Sequence, residues 1–351
     1  MALLRPATLC HSRALYATLR PMADFWPTLT APFFVMAPME DVTDAAFRRM
    51  FAKYGKPDVT WTEFTSADGL VLAPEKGQQA LRAKLMYTEA ERPIVAQLFS
   101  SVPERMEKAA RLCAELGFDG VDINMGCPDR SVEKGGAGAA LIKTPALASD
   151  IIEAAKRGAR LCASQTCTCT QCIPVSVKTR IGYNADEIDT WIRHLLTHKP
   201  AALTVHLRTR KEMSEVPAHW EYMPRIAALR ASLSPETRLI GNGDVKTLAE
   251  ARERIAGGGC DGTMIGRGIF GNPWLFAEHT PTPHERVQAL IEHIRLFDDL
   301  LGETVNYATM KKHFKAYIHG WDHAKDLRVS LMETARAQEA IHVLEEAQGE
   351  V

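Results

Sequence analysis

The stretch Gly120-Val-Asp-Ile-Asn-Met-Gly-Cys-Pro128 carries the pattern that sets the fold. Its first four residues, Gly120–Ile123, form a short and mostly apolar run of the kind that makes a buried strand. The run stops on Asn124-Met125-Gly126-Cys127-Pro128, a tight turn that holds an amide and a thiol. Seven further runs end in a similar way: Phe33–Ala37, Val59–Thr62, Ile94–Leu98, Val175–Lys178, Leu203–His206, Arg238–Gly241 and Gly262–Ile265. Amphipathic helical stretches separate them. Strands alternating with helices imply a parallel sheet, because each parallel pair needs a crossover. Eight such units over roughly 240 residues match a closed (β/α)8 TIM barrel in number and length. An open doubly wound sheet is the alternative, but no G-x-G-x-x-G turn follows the first run to support it.

Polar and reactive groups collect where each run ends. Pro38-Met39-Glu40-Asp41 follows the first, Glu63 and Thr65 the second, and Gln97 lies in the third. Lys178 and Arg180 belong to the fifth, and His206, Arg208 and Arg210 to the sixth. Asn242-Gly243-Asp244 and Gly266-Arg267-Gly268 close the last two. In a barrel these ends share one face, where active sites sit. Gly243 and the Gly266-Arg267-Gly268 turn let backbone N–H groups approach an anion, and Arg267 adds charge. A phosphate is the expected ligand there. Cys127, held between Gly126 and Pro128 near cationic side chains, is a candidate nucleophile or proton donor. Lys134-Gly-Gly-Ala-Gly-Ala139, with little side-chain bulk, predicts a mobile loop beside it.

Composition fixes the wider class. The 351 residues are 46% hydrophobic and 24% charged, an ordinary globular balance. No apolar run reaches the roughly 20 residues of a membrane span. Basic and acidic residues nearly cancel, 42 against 43, so nucleic-acid binding would need a local patch. Residues 1–23 carry Arg5, Arg13 and Arg20 with no acid, and read as a disordered tail or an organelle-targeting segment. A cytoplasmic location is expected, with a mitochondrial one as the alternative. Cys162, Cys167, Cys169 and Cys172 fall in one polar insertion, residues 162–172. The expectation is a solvated loop without metal; a zinc or iron–sulfur site is the other reading. Pro281 and Pro283 mark a linker between a barrel, residues 30–278, and a smaller all-helical C-terminal region, residues 284–351.

In that region Met310, Phe314, Tyr317, Ile318 and Trp321 share one helical face, which predicts packing. Between positions 311 and 328, five Lys and Arg residues outnumber Asp322 and Asp326, giving net +3.

Taken in order, Met36–Asp44, Asp122–Pro128, Val177–Arg180, His206–Arg210, Gly241–Asp244 and Ile265–Gly268 resemble the tRNA-dihydrouridine synthases. The resemblance implies an FMN enzyme that reduces the C5–C6 double bond of particular tRNA uridines, with NADPH as reductant. It implies that Pro38, Met39, Glu40, Gln97, Lys178 and His206 meet FMN. Asn242, Gly243, Asp244, Gly266 and Arg267 would hold the ribityl phosphate end. Hydride would pass from flavin N5 to uracil C6, with Cys127 protonating C5. Asn124, Arg180, Arg208 and Arg210 would meet the target base or RNA phosphate, and Lys311 and Lys315 of the helical region would grip tRNA. A monomer that does not bind membranes is expected. Two readings compete: a small-molecule FMN ene reductase or dihydroorotate-type dehydrogenase, and a tRNA-binding protein without catalysis.

Overall fold

The structure, a computed structural model, describes residues 24–160 and 172–347. Nine strands run β1 Phe33–Met36, β2 Thr60–Trp61, β3 Thr65–Ser66, β4 Ile94–Phe99, β5 Gly120–Met125, β6 Val175–Arg180, β7 Ala202–His206, β8 Arg238–Asn242 and β9 Gly262–Ile265. They pair in the order β1-β9-β8-β7-β6-β5-β4-β2, with β3 also on β4, and every pair is parallel. A bridge between Val35 and Val59 joins the ends into a ring. The chain is therefore a (β/α)8 barrel followed by helices.

The second barrel position differs from the single predicted run. It is made of two short pieces, β2 and β3, both lying on β4. Between them Thr62 Oγ1 donates to the Glu63 carbonyl at 2.9 Å and accepts from Gln97 N at 3.1 Å. A side chain thus satisfies backbone groups that a continuous ladder would have paired.

The N-terminal end of the barrel is plugged. Phe25 and Trp26 are buried against Phe33 and Trp61, with ring centroids 6.3 and 6.0 Å from Trp26. Burying each such side chain stabilises by about 1.5–3 kcal/mol. This plug leaves the C-terminal ends of the strands as the face on which a site can open into the barrel.

Helices Pro283–Leu301, Lys311–Tyr317, Ala324–Glu333 and Ala337–Ala347 follow the barrel. The first opens with Pro283 and a capping box in which Thr282 and Glu285 satisfy each other's backbone N–H groups. These helices share a core with the barrel helix Ala45–Tyr54 through Ala46, Met50, Leu290, Phe297, Phe314 and Leu344. Glu292 ties the two parts by accepting from Tyr54 Oη and Lys53 Nζ, each at 2.7 Å. Met310, Phe314, Tyr317 and Ile318 are fully buried, as the predicted stripe requires. The helix itself stops at Tyr317, because Ile318 turns extended and Gly320 takes φ +88°. Trp321 reaches the same core from beyond the helix end.

No helix of the described residues is long and apolar enough to cross a membrane. Residues 1–23 and Cys162, Cys167 and Cys169 of the insertion lie outside the described residues, so the targeting and metal readings are untouched. Cys172 is described and exposed, with no disulfide partner among the described residues.

Candidate active site

A cleft of about 920 Å³ opens over the C-terminal ends of β6 to β9 and β1. That volume falls in the range of cofactor sites. All the residues expected to hold a cofactor line it except Glu40 and Gln97. Strand register explains the convergence. Asn124 lies opposite Lys178, Arg180 opposite His206, and His206 opposite Asn242. Register partners on neighbouring parallel strands point to the same face.

Beside the cleft sits a buried polar network. Gln97 Nε2 donates to Asp122 Oδ2 at 2.7 Å, and Ser176 Oγ donates to Asp122 Oδ1 at 2.6 Å. Asn124 Nδ2 donates to Gln97 Oε1 at 3.2 Å. Burial pushes the Asp122 carboxyl up to about 6, against the pull of Ser176, Gln97 and Lys178. The other end of Asn124 shapes the reactive turn: its Oδ1 accepts from Gly126 N at 3.1 Å and from Cys127 N at 2.9 Å. Cys127 is half-buried, and burial raises its thiol above the ordinary value. It is therefore protonated at neutral pH.

The cleft is cationic. Lys178 makes no hydrogen bond or ion pair among the described residues, and burial with the nearby Arg180 charge lowers its ammonium to about 8. His206 is pushed well below its ordinary value by burial, then by Arg180 and Lys178. Arg208 Nη1 donates to His206 Nε2 at 3.1 Å, so the neutral ring carries its proton on Nδ1. Asp244, in the left-handed region at φ +56°, accepts from Arg267 at 2.6 Å, from Ala218 N at 2.8 Å and from Arg208. Burial opposes the charge, but these bonds hold its carboxyl below the usual range. Beside Arg267, Gly266 leaves the wall open: a Cβ there would lie 3.7 Å from Ala37 and 3.9 Å from Met39. One carboxylate shared between Arg208 and Arg267 leaves net positive charge facing the cleft.

Several expectations need correction. Glu40 is exposed at the rim, paired with Lys84, and does not line the cleft. Gln97 reaches the site through Asp122 and Asn124. Arg208 is 2% exposed, and its three nitrogens go to Val216 O, His206 and Asp244. It builds the cleft wall and is not placed to meet RNA phosphate. Arg180 is also buried, donating to Gly126 O at 2.9 Å, Thr209 O at 3.0 Å and Met213 O at 2.8 Å. Arg210 pairs with Glu133. Lys311 Nζ donates to Met332 O at 2.7 Å and fastens the helix Ala324–Glu333, whereas Lys315 is exposed. The glycine-rich segment is exposed at Lys134 and Gly135 but packed at its end, Ala137–Ala139. Ala139 N donates to Cys127 O at 2.9 Å, and a Cβ on Gly138 would strike that same oxygen at 2.8 Å. Gly138 also has φ +62°, so its freedom serves a close approach.

A family profile described as dihydrouridine synthase matches residues 35–351. The chain belongs to the dihydrouridine synthase family. The probable tRNA-dihydrouridine synthase 2 of Bacillus subtilis (strain 168) is 42% identical over 328 residues, spanning 92% of this chain and 96% of that protein. A probable tRNA-dihydrouridine synthase of Staphylococcus aureus (strain COL) is 40% identical over 336 residues, spanning 93% and 97%. As a dihydrouridine synthase, the chain is an oxidoreductase.

Sequence reasoning missed several residues of this dihydrouridine synthase's cleft. Ser214, Lys246, Glu250 and Met264 line it. Met264 had a legible signal, since it sits in β9 opposite Asn242. Ser214 and Lys246 lie in loops beyond strand ends, and Glu250 in the first turn of the helix Leu248–Gly258, where no strand period marks them.

Proposed function

We propose that this dihydrouridine synthase binds FMN in the cleft and reduces the C5–C6 double bond of uridine in tRNA, with NADPH as electron donor. The observation that carries the reading is the surplus of positive charge around Gly243, Asp244, Gly266 and Arg267, beside an unpaired Lys178. A phosphate at one end and a ring able to take negative charge at the other fit that distribution. Pro38, Met39, Lys178 and His206 would hold the flavin ring, and Asn242, Gly243, Asp244, Gly266 and Arg267 the ribityl phosphate. When bound, FMN would supply the hydride that the uracil ring accepts at C6.

The chain's own groups do the rest. Lys178, charged below about pH 8, stabilises negative charge in the cleft. The Nδ1–H of His206 offers a neutral donor. Cys127 keeps its proton at neutral pH because burial raises the thiol, and it delivers that proton to uracil C5. Asn124 fixes the Cys127 turn through two backbone N–H groups. The uridine leaves its stack to reach this depth. The helices 283–347 form a second tRNA contact, with the exposed Lys315 meeting RNA phosphate.

The test uses purified protein, NADPH and tRNA free of dihydrouridine. A flavin spectrum bleached by NADPH and restored by tRNA, with dihydrouridine formed, is the expected result. A yellow protein that oxidises NADPH but leaves every tRNA unchanged would support a small-molecule reductase. A colourless protein that binds tRNA would support the non-catalytic reading.

A further inference from the structure

The turn that carries Cys127 is strapped from both sides to one loop. That loop, residues 207–213, follows β7. On the near side of the cysteine, Arg180 spans the gap: Nε donates to Gly126 O at 2.9 Å, and Nη1 donates to Thr209 O and Met213 O. On the far side, the short helix Arg130–Lys134 begins just after Pro128 and presents Glu133. Glu133 Oε2 accepts from Arg210 Nε at 2.8 Å and from Arg210 Nη2.

The pair is built into the fold. The Glu133 side chain is only 10% exposed, and its Oε1 is buried with no hydrogen-bond partner among the described residues. Arg210 N donates to Gly182 O at 2.9 Å, and the guanidinium lies 5.6 Å from the centre of the Tyr183 ring. Backbone and side chain of Arg210 are thus both fixed. A largely desolvated carboxylate with one oxygen already unpaired would lose much if the guanidinium left. That argues against Arg210 being reserved for RNA.

We propose that Arg210 and Glu133 are positioning residues that set the place of the Cys127 thiol by clasping the helix after it to the loop after β7. The proposal rests on Cys127 as the proton donor. Arg180 sets the backbone before the cysteine, and the Arg210–Glu133 pair sets the backbone after it. Without the pair, the helix Arg130–Lys134 keeps its Asp129 cap but loses its link to the loop after β7. A displacement of about 1 Å in a reacting group can cost up to about a hundredfold in rate.

The test compares the holoenzyme with Glu133→Gln, Arg210→Gln and the charge-exchanged double variant Glu133→Arg/Arg210→Glu. Two quantities are read: steady-state kcat and KM for tRNA, and the iodoacetamide alkylation rate of Cys127 without tRNA, followed by mass mapping of its peptide. The expected result is a fall in kcat of about tenfold or more in both single variants, with little change in KM. Their alkylation rates should differ from the parent in the same direction, and the exchanged pair should recover part of both readouts. Glu133→Gln keeps the shape of the side chain, and its flavin content and melting temperature show whether it folds. If Arg210→Gln raised KM and flattened the salt dependence while Glu133→Gln matched the parent, Arg210 would be an RNA contact and the clasp would be wrong. The alkylation arm needs no turnover. A parent enzyme inactive on tRNA would defeat the functional reading, while the alkylation rates would still decide the clasp.

Discussion

Two of the regions that bury basic side chains, the cleft and the seam under the C-terminal helices, treat them in opposite ways. Around the cleft, Arg180 and Arg208 are buried with their guanidinium groups bonded to carbonyls, His206 and Asp244. Positive charge is kept, and more of it faces the cleft than Asp244 neutralises. Under the C-terminal helices, His293 and His313 are fully buried, and none of their ring nitrogens is bonded among the described residues. Their rings lie 4.9 Å apart and pack against Phe47, Phe270 and Tyr317. Burial holds His293 down to about 3 and His313 well below its ordinary value, so both stay neutral. On the proposed function, the first region keeps its charge to meet an anion. The second uses imidazole as an aromatic filler.

The sharpest way to break this contrast is to remove the proton donor from the charged region. Cys127→Ala should lower uridine reduction by about a thousandfold and leave the flavin spectrum and NADPH oxidation unchanged, measured in single turnovers. Lys178→Met should cost about a hundredfold. In the parent, activity should fall as pH rises through about 8, where Lys178 loses its charge. Lys178→Arg should move that limb upward, leaving the higher limb set by the raised Cys127 thiol. A pH–rate profile of both proteins checks this.

The neutral region makes a different prediction. His293 takes up a proton near pH 6.5 when unfolded but only near 3 when folded. Its contribution is therefore complete above about 6.5 and is lost as pH falls through the window toward 3. The slope is at most about 1.4 kcal/mol per pH unit. Urea unfolding at pH 5 and pH 7 should show it, and His293→Leu should reduce the difference. The smallest effect is expected at the exposed surface. Lys315→Ala should weaken tRNA binding mildly and reduce the salt slope by about one.

The same division explains what the residues revealed. The barrel was legible because every apolar run ended in polar groups, and parallel strands bring those ends to one face. The cationic wall was legible for the same reason. The split of the second barrel position was not, because it depends on Thr62 replacing backbone bonds. Arg208 and Arg210 looked alike as charges near a strand end. One is sealed into the wall by Asp244, and the other is paired with Glu133 from 77 positions away, a partnership no local spacing encodes. The glycine-rich segment read as loose because small side chains permit both motion and close packing, and only the neighbouring Cys127 carbonyl decides between them.

On the proposed function, the cleft's surplus charge is there for a phosphate. Equilibrium binding of FMN and of riboflavin to flavin-stripped protein tests it directly. FMN should bind at least about a hundredfold tighter, a difference of about 2.7 kcal/mol, and Arg267→Ala should narrow the gap while sparing riboflavin. Equal affinity for the two, with Arg267→Ala silent, would contradict it.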